Sequence, residues 1–271
     1  MLRLLSRTID ARPLAAGRIL LGLASLIVAT EWFETLGRVS TGTRLQLPYF
    51  DALPDLGPSM VLGMFAVAMV AGLGAVLGIA GRLPMILVCA TSVAALAADE
   101  QAFSNHLVLL ALLAFYLSCS GSGLTLKPGA WNRKVQVQYW PAFLVKLQIT
   151  TVYAWTAISK VNEQYLSGEV IGHHLRDWVP VSQQLLPLLA AGSVAAELFL
   201  SVALWIPALR PIAFLVGAGL HLGIVVMLNT AMPLIAFALI MLAGYVLFAH
   251  DALQGHRPRQ GTGARRRALA G

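Results

Sequence analysis

Charge is scarce in this sequence. Only 11% of its 271 residues are Asp, Glu, Lys or Arg, where about a quarter is usual for a soluble domain. Cysteine is scarcer: Cys89 and Cys119 are the two present, both inside apolar runs and neither in a CxxC pair. That leaves no disulfide framework and no zinc-type cluster to expect. Neither a P-loop nor a dinucleotide-type glycine spacing occurs, so nucleotide chemistry has no motif to rest on. The formal net charge of +7 would suit a nucleic acid. The basic residues, however, sit in short loops and tails between apolar runs, as cytoplasmic loops of membrane proteins do. The expected partner is the lipid bilayer, not nucleic acid.

What the sequence has in abundance is apolar length. Hydrophobic residues make up 58% of it and the mean hydropathy is +0.76, which predicts an all-α polytopic integral membrane protein. Eight runs, roughly 13–36, 60–80, 83–99, 102–121, 142–163, 185–206, 209–229 and 231–249, each approach the ~20 residues that cross a hydrocarbon layer. Pro48, Pro54 and Pro58, the Gly81-Arg82-Leu83-Pro84 turn, Lys127-Pro128-Gly129, Pro207, Pro211 and Pro233 punctuate them. The first run follows a basic segment, as in a signal peptide, but it is long and no small-x-small cleavage site follows. It reads as a retained first helix. Gly74/Gly78 and Gly219/Gly223, each four apart, mark expected close helix packing. The Gly- and Arg-rich stretch 251–271 is expected to be a basic, disordered cytoplasmic tail.

Orientation follows from Lys and Arg. With the N-terminus inside, Arg3, Arg7, Arg12, Arg82, Lys127, Arg133, Lys134, Arg210, Arg257, Arg259, Arg265, Arg266 and Arg267 lie inside, and Arg38, Arg44, Lys160 and Arg176 outside. The asymmetry places both termini in the cytoplasm of a cell (plasma) membrane protein.

Polar groups gather unevenly. From Lys146 to Trp178, residues Lys146, Thr150, Tyr153, Thr156, Lys160 and Glu163 recur at steps of three or four and form one stripe on a helix. Lys146 sits at the inner end, where its stem can snorkel to the headgroups; Lys160 sits at the outer end, with Glu163 three residues on as its expected ion-pair partner unless Glu163 turns away to pair elsewhere, for example with Arg176. Glu31, Glu34, Asp99, Glu100 and His106 also lie near outer helix ends. Glu197 is about 18 Å and His221 about 12 Å below theirs at the helical rise, too deep to snorkel. Intramembrane ionisable groups of this kind are functional by default. The arrangement predicts an outward polar cavity lined by the first, fourth, fifth, sixth and seventh runs, with Glu197 and His221 in one buried network.

At these residues a family resemblance enters. VYAWTAISKVNEQYLSGEVI resembles the membrane domain that the HTTM (horizontally transferred transmembrane) family shares with vitamin K-dependent gamma-carboxylase: an aromatic helix ending in small residues, then Lys160, Val161, Asn162 and Tyr165-Leu166-Ser167-Gly168. DEQAFSNHLVLLALLAFYLSCSGSGLTL resembles the span before the family's cytoplasmic loop, with Asn105 and His106 near its start. ELFLSVALWIPALRPIAFLVGAGLHLGIVV resembles its acidic-then-histidine pair of spans, with Glu197 and His221. The resemblance implies a transmembrane domain over 1–250, and for Lys160 the part of the base that starts oxygenation of reduced vitamin K. The candidate catalytic set is thus Lys160, Glu197, His221 and His106; the candidate cofactor-binding set is Tyr153, Trp155, Asn105 and Glu31; no metal is expected. A quinone cofactor is implied by the resemblance alone. Tyr165 stands where the family usually has Trp, Ser159 replaces a second lysine, and no large lumenal domain follows the last run, which sets the expectation against glutamate carboxylation. A smaller relative supports export of a peptide toxin, so the fold does not fix the chemistry.

Two functions stay open: a membrane enzyme with Lys160 as base on a quinone-like or lipid substrate, or a non-catalytic factor binding a peptide or lipid during export or maturation. A transporter is weaker, since no internal repeat is evident. The topology is directly testable. Ser40→Cys and Ser182→Cys should label with an impermeant thiol reagent in intact cells and Gly255→Cys should not; the reverse pattern would overturn the orientation.

Overall fold

The structure, a computed structural model, describes residues 6–49, 55–229 and 231–255. Arg3, Pro54 and residues 256–271 of the expected basic tail lie outside the described residues. The chain forms a short strand β1 (Thr8–Asp10), then helices α1 (Ala11–Ser40), α2 (Pro58–Leu77), α3 (Leu83–Ala98) and α4 (Asn105–Ser118). Strand β2 (Gln136–Gln138) precedes α5 (Trp140–Ser159), the short α6 (Glu163–Leu166) and α7 (Glu169–His174), and the long α8 (Leu186–Ala203), α9 (Arg210–Met227) and α10 (Ala231–Gly255). The eight longer helices coincide with the eight apolar runs in place and order.

Among the described residues, five helices are long and apolar enough to cross a membrane: Ala11–Ser40, Pro58–Leu77, Gln183–Ala203, Arg210–Met227 and Met232–Asp251. The remaining three differ for physical reasons. With 16 and 14 residues, α3 and α4 reach only about 24 and 21 Å at the α-helical rise. The 20-residue α5 carries the polar stripe. Proline explains several of the starts: α2, α3, α5, α8 and α9 each have one in the first turn, where its missing N–H would have no intrahelical partner.

Helix α1 is the centre of the bundle. Its 30 residues include Leu14, Leu21, Val28, Trp32 and Leu36, all buried, and it packs against α2 on one side and α10 on another. The α1–α2 crossing is close because glycines face it. A Cβ on Gly22 would stand 2.9 Å from Val76 N, and one on Gly72 would stand 2.7 Å from Leu26 Cδ2. Of the expected GxxxG residues, Gly74 does mark a close approach, since a Cβ there would stand 3.2 Å from Pro84 Cγ on α3. Gly78 ends α2 in the left-handed conformation at φ +70°, as a glycine after a helix commonly does. Gly219 and Gly223 have nothing within 4 Å of a notional Cβ; they face an open cavity, not a neighbouring helix. The expectation that they mark packing is corrected.

A small antiparallel ribbon, absent from the sequence expectation, joins β1 to β2 with Ile9 opposite Val137. Three-residue strands carry too little alternation to be read from sequence. Beside the ribbon, α5 and α10 are clasped. Lys146, expected to snorkel, is instead fully buried and ion-paired with Asp251, and it also donates to Tyr139 Oη at 3.2 Å. Its ammonium lies over the rings of Tyr139 and Phe248, 5.0 and 5.3 Å from their centroids. Burial, with the Asp251 carboxylate nearby, pushes the Tyr139 phenol above its ordinary value, so it stays protonated as a neutral neighbour of the pair. Removing one partner of such a pair strands the other. Lys146→Met should cost about 3 kcal/mol, read as a lowered thermal unfolding midpoint in detergent. The double variant Lys146→Met/Asp251→Leu should recover most of that loss; no loss in the single variant would show that the clasp does not hold the two helices.

Candidate functional site

Most of the polar stripe of α5 points inward, and Thr150, Tyr153 and Lys160 reach other parts of the bundle. Thr150 Oγ1 accepts from Trp205 Nε1 at 3.1 Å, just past α8. Tyr153 Oη lies 2.7 Å from His221 Nε2 on α9 and 2.9 Å from Tyr245 Oη on α10. Thr156 bonds back to its own helix, to Val152 O at 2.8 Å. Lys160, at the end of α5, donates from Nζ to Glu197 Oε1 on α8 at 2.6 Å. Glu163, the last member by spacing, is exposed and does not pair with Lys160.

The local chain explains why Lys160 takes Glu197. Helix α5 stops at Ser159, and Asn162 adopts an extended conformation, φ −146°. Its side chain donates to Ser159 O and accepts from Tyr165 N, both at 2.9 Å, so it ends one helix and caps the next. The turn breaks the helical spacing before Glu163 and swings it away. It also brings Tyr165 back over Lys160, whose Nζ is 5.3 Å from the ring centroid. Tyr165 Oη then hydrogen-bonds Ser193 Oγ at 2.8 Å. Ser193 and Glu197 are four apart and share one face of α8.

Beyond α6, Gly168 sits at φ +83°, where an added Cβ would stand 2.4 Å from Leu186 Cβ. This bend lets α7 return across the ends of α8 and α9. The return is pinned by Arg176, which donates from Nε to Leu228 O at 2.8 Å and from Nη2 to Val225 O at 3.2 Å. Those are carbonyls at the end of α9, left without intrahelical donors and attractive to a cation. Arg176 is thus engaged there and not with Glu163. Leu175 pairs with Leu228 as an isolated bridge. Together α8, α9 and this strap enclose a cavity of about 330 Å³, lined by Lys160, Tyr165 and Ser193 at its polar part and by residues such as Leu189, Leu220 and Ile224 elsewhere. Gly219 and Gly223 form part of its wall. Lys160 keeps a quarter of its side chain exposed, while Glu197 keeps 7%. Glu197 Oε2 is buried without a hydrogen-bond partner among the described residues.

The other candidate residues lie apart from this pair. His106 Nε2 is 2.6 Å from Glu31 Oε2 and 3.3 Å from Ser104 Oγ, joining α4 to α1. His106, Asn105 and Trp155 line a separate cavity of about 630 Å³ among α4, α5 and α10, which Lys160 does not line. Glu197 and His221 do not bond to each other; both turn toward α5, one to Lys160 and one to Tyr153. The direct bonds form three clusters, Lys160–Glu197, Tyr153–His221–Tyr245 and Glu31–His106, and the expected Glu197–His221 network has no direct bond between its two members.

These are positions in a recognisable framework. The HTTM domain profile matches residues 6–252. The chain belongs to the HTTM family. No solved structure matches it. The match spans α1 to α10, so this HTTM protein carries all three clusters within the family domain. Sequence reasoning missed Tyr245 and Ser193, neither of which breaks an otherwise ordinary apolar helix pattern; the i, i+4 relation of Ser193 to Glu197 was the one available signal.

The strap's geometry gives a test. Gly168→Ala puts a side chain into a left-handed bend that also lacks room for it, a strain of at least about 1 kcal/mol. Limited tryptic cleavage after Arg176 should become several-fold faster than in the wild type, because the guanidinium is released from the end of α9. Unchanged cleavage would mean that Gly168 does not set the strap.

Proposed function

We propose that this HTTM protein is an eight-span plasma-membrane enzyme, with both termini cytoplasmic, in which Lys160 and Glu197 act as an acid–base couple on the head group of an amphipathic ligand. The observation that supports this most is that Lys160, ion-paired with the buried Glu197, lines the polar part of a mainly apolar cavity between α8 and α9. Such a cavity suits a molecule with an apolar body and one ionisable oxygen, a quinol or a lipid of similar shape. The Lys and Arg distribution supports an outward-facing mouth.

A lysine base must first shed a proton. At 2.6 Å, Glu197 can receive it: the ammonium–carboxylate pair becomes an amine–carboxylic acid pair with no change in net charge, which low-polarity surroundings favour relative to water. The Lys160 amine then takes the proton of the ligand's hydroxyl, leaving an oxyanion beside the re-formed ammonium. For a quinol this is the step that opens it to oxygen: two protons and two electrons pass to O₂, giving the quinone and H₂O₂. Tyr165, over Lys160 and hydrogen-bonded to Ser193, holds the amine in place from the other side.

The second reading is a non-catalytic factor whose cavity binds a peptide or lipid during export or maturation. It is favoured by the same 2.6 Å contact if that contact serves only as an ion pair. The two separate at one substitution. Guanidinium pairs well with a carboxylate but hardly deprotonates. With purified protein and a reduced naphthoquinol as probe, Lys160→Arg should lower quinol-dependent oxygen uptake by roughly 100-fold or more, with thermal stability near wild type. Oxygen uptake that survives Lys160→Arg would sink the base assignment and leave the ion-pair reading.

A further inference from the structure

On the other side of α9 from the Lys160 cavity lies a second opening, between α9 and α10. Its volume is about 390 Å³, within the size of small-molecule sites. The walls come from Phe214, Gly217 and Ala218 on α9 and from Ala238, Leu242 and Val246 on α10. Ala218 and Leu242 are exposed, so the cleft opens sideways, toward lipid. Apart from His221 and Tyr245, every side chain in it is apolar.

These two polar groups belong to the chain Tyr245–Tyr153–His221, and its protons can be counted. Two hydrogen bonds, of 2.9 and 2.7 Å, join the three groups. Each tyrosine brings one O–H, and a neutral imidazole brings one N–H. Three donors and two bonds leave one donor over. If Tyr245 donates to Tyr153 and Tyr153 donates to His221 Nε2, the spare donor is the Nδ1–H of His221. If the chain runs the other way, the spare donor is the Tyr245 O–H. The one further arrangement, with Tyr153 accepting both bonds, would strand the O–H of a fully buried residue with no acceptor in reach among the described residues and is disfavoured. Both residues line the cleft, so in either polarity one unused donor stands at an apolar, lipid-facing cavity. Neither ring has a further hydrogen bond among the described residues. In hydrocarbon no water is at hand to accept it, and an unmet donor there is costly.

Gly217 shows that the position of this chain is built into the fold. A Cβ at Gly217 would stand 1.9 Å from Tyr245 Oη, so the glycine is the seat that lets the phenol reach Tyr153. We propose that the α9–α10 cleft is a binding site for a neutral, apolar molecule bearing a carbonyl oxygen, which enters from the bilayer and accepts the spare hydrogen bond of the His221–Tyr153–Tyr245 chain. A carbonyl fits because it accepts without donating and needs no counter-charge. The site is separate from the Lys160–Glu197 cavity, with α9 as the wall between them.

The test uses benzophenone, an apolar ketone that also photolabels. With purified full-length protein in nanodiscs, labelled peptides should map to the segments around 214–221 and 238–249. Dicyclohexyl ketone should compete roughly fivefold better than dicyclohexylmethane, the difference of one hydrogen bond. Ala218→Phe, which fills the mouth from a lipid-facing position, should remove the labelling. The double variant His221→Leu/Tyr245→Phe should abolish the advantage of ketone over hydrocarbon, and Lys160→Met should leave labelling unchanged. Equal competition by the two compounds in the wild type would overturn the proposal, as would label spread evenly over the exposed helices or label untouched by Ala218→Phe. Because the Lys160→Met arm is independent of quinol chemistry, failure of the acid–base reading and failure of this one are distinguishable.

Discussion

A helix within hydrocarbon satisfies its own backbone but not its polar side chains, and α5 carries more of these than any neighbour. That constraint organises this half of the molecule. Lys146 is tied to Asp251 on α10, Thr150 to Trp205 beyond α8, Tyr153 to α9 and α10, and Lys160 to α8. Each bond costs its partner helix rotational freedom as well as satisfying a polar group. Apolar contact alone specifies such rotation weakly in lipid, where tails compete equally well for an apolar face. The stripe therefore fixes which faces of α8, α9 and α10 turn inward, and through α10 it reaches the central α1.

Glycine divides the rest of the architecture. Gly22 and Gly72 let α1 and α2 approach until backbone nearly meets side chain, and Gly244 does the same for α10 against Ile149, whose Cγ1 would lie 2.5 Å from a Cβ. These contacts gain dispersion where a hydrophobic driving force is missing. Helix α9 uses its glycines in the opposite sense. Only Arg210, Ala213 and Gly217 are buried along it, and Gly219 and Gly223 leave space. A thin helix between two cavities is the result, held at one end by Arg210 donating to Leu204 O at 2.9 Å and at the other by Arg176. The same small-residue spacing thus builds a packing contact or a cavity wall according to whether another helix is present to fill it.

This is why sequence pattern carried some features and not others. The apolar runs, the prolines at helix starts and the inward stripe of α5 are local, and the periodicity of a helix makes them legible. Partner choice is not local. Glu163 is nearest Lys160 by spacing, but Asn162 ends that spacing by leaving the helical region, and a carboxylate 37 residues on takes the lysine. Glu197 and His221 were conspicuous as deep ionisable groups, yet their matched depths said nothing about rotation, and rotation sent one to Lys160 and the other to Tyr153. Tyr245 was invisible because a tyrosine in an apolar run has an ordinary interfacial explanation. The ribbon of β1 and β2 joins segments some 130 residues apart through strands too short to alternate.

The two lysines of α5 make the final distinction between structure and function. Both are single ammonium groups on one helix, both lie over aromatic rings, and both meet a carboxylate on a neighbouring helix. Lys146 is enclosed completely, by Tyr139, Phe248 and Asp251, so nothing outside the protein can reach its nitrogen. Lys160 has a quarter of its side chain free and forms part of a cavity wall. Among the described residues, its partner Glu197 retains a buried oxygen without a hydrogen bond, an arrangement that a purely structural pair has no reason to keep, since an unmet carboxylate oxygen weakens it. A proton arriving on Glu197 would remove the carboxylate charge and so lower the cost of leaving that oxygen buried. Chemical identity is therefore the same at both ends of the helix, and access together with an unfilled valence for hydrogen bonding separates the clasp from the candidate base.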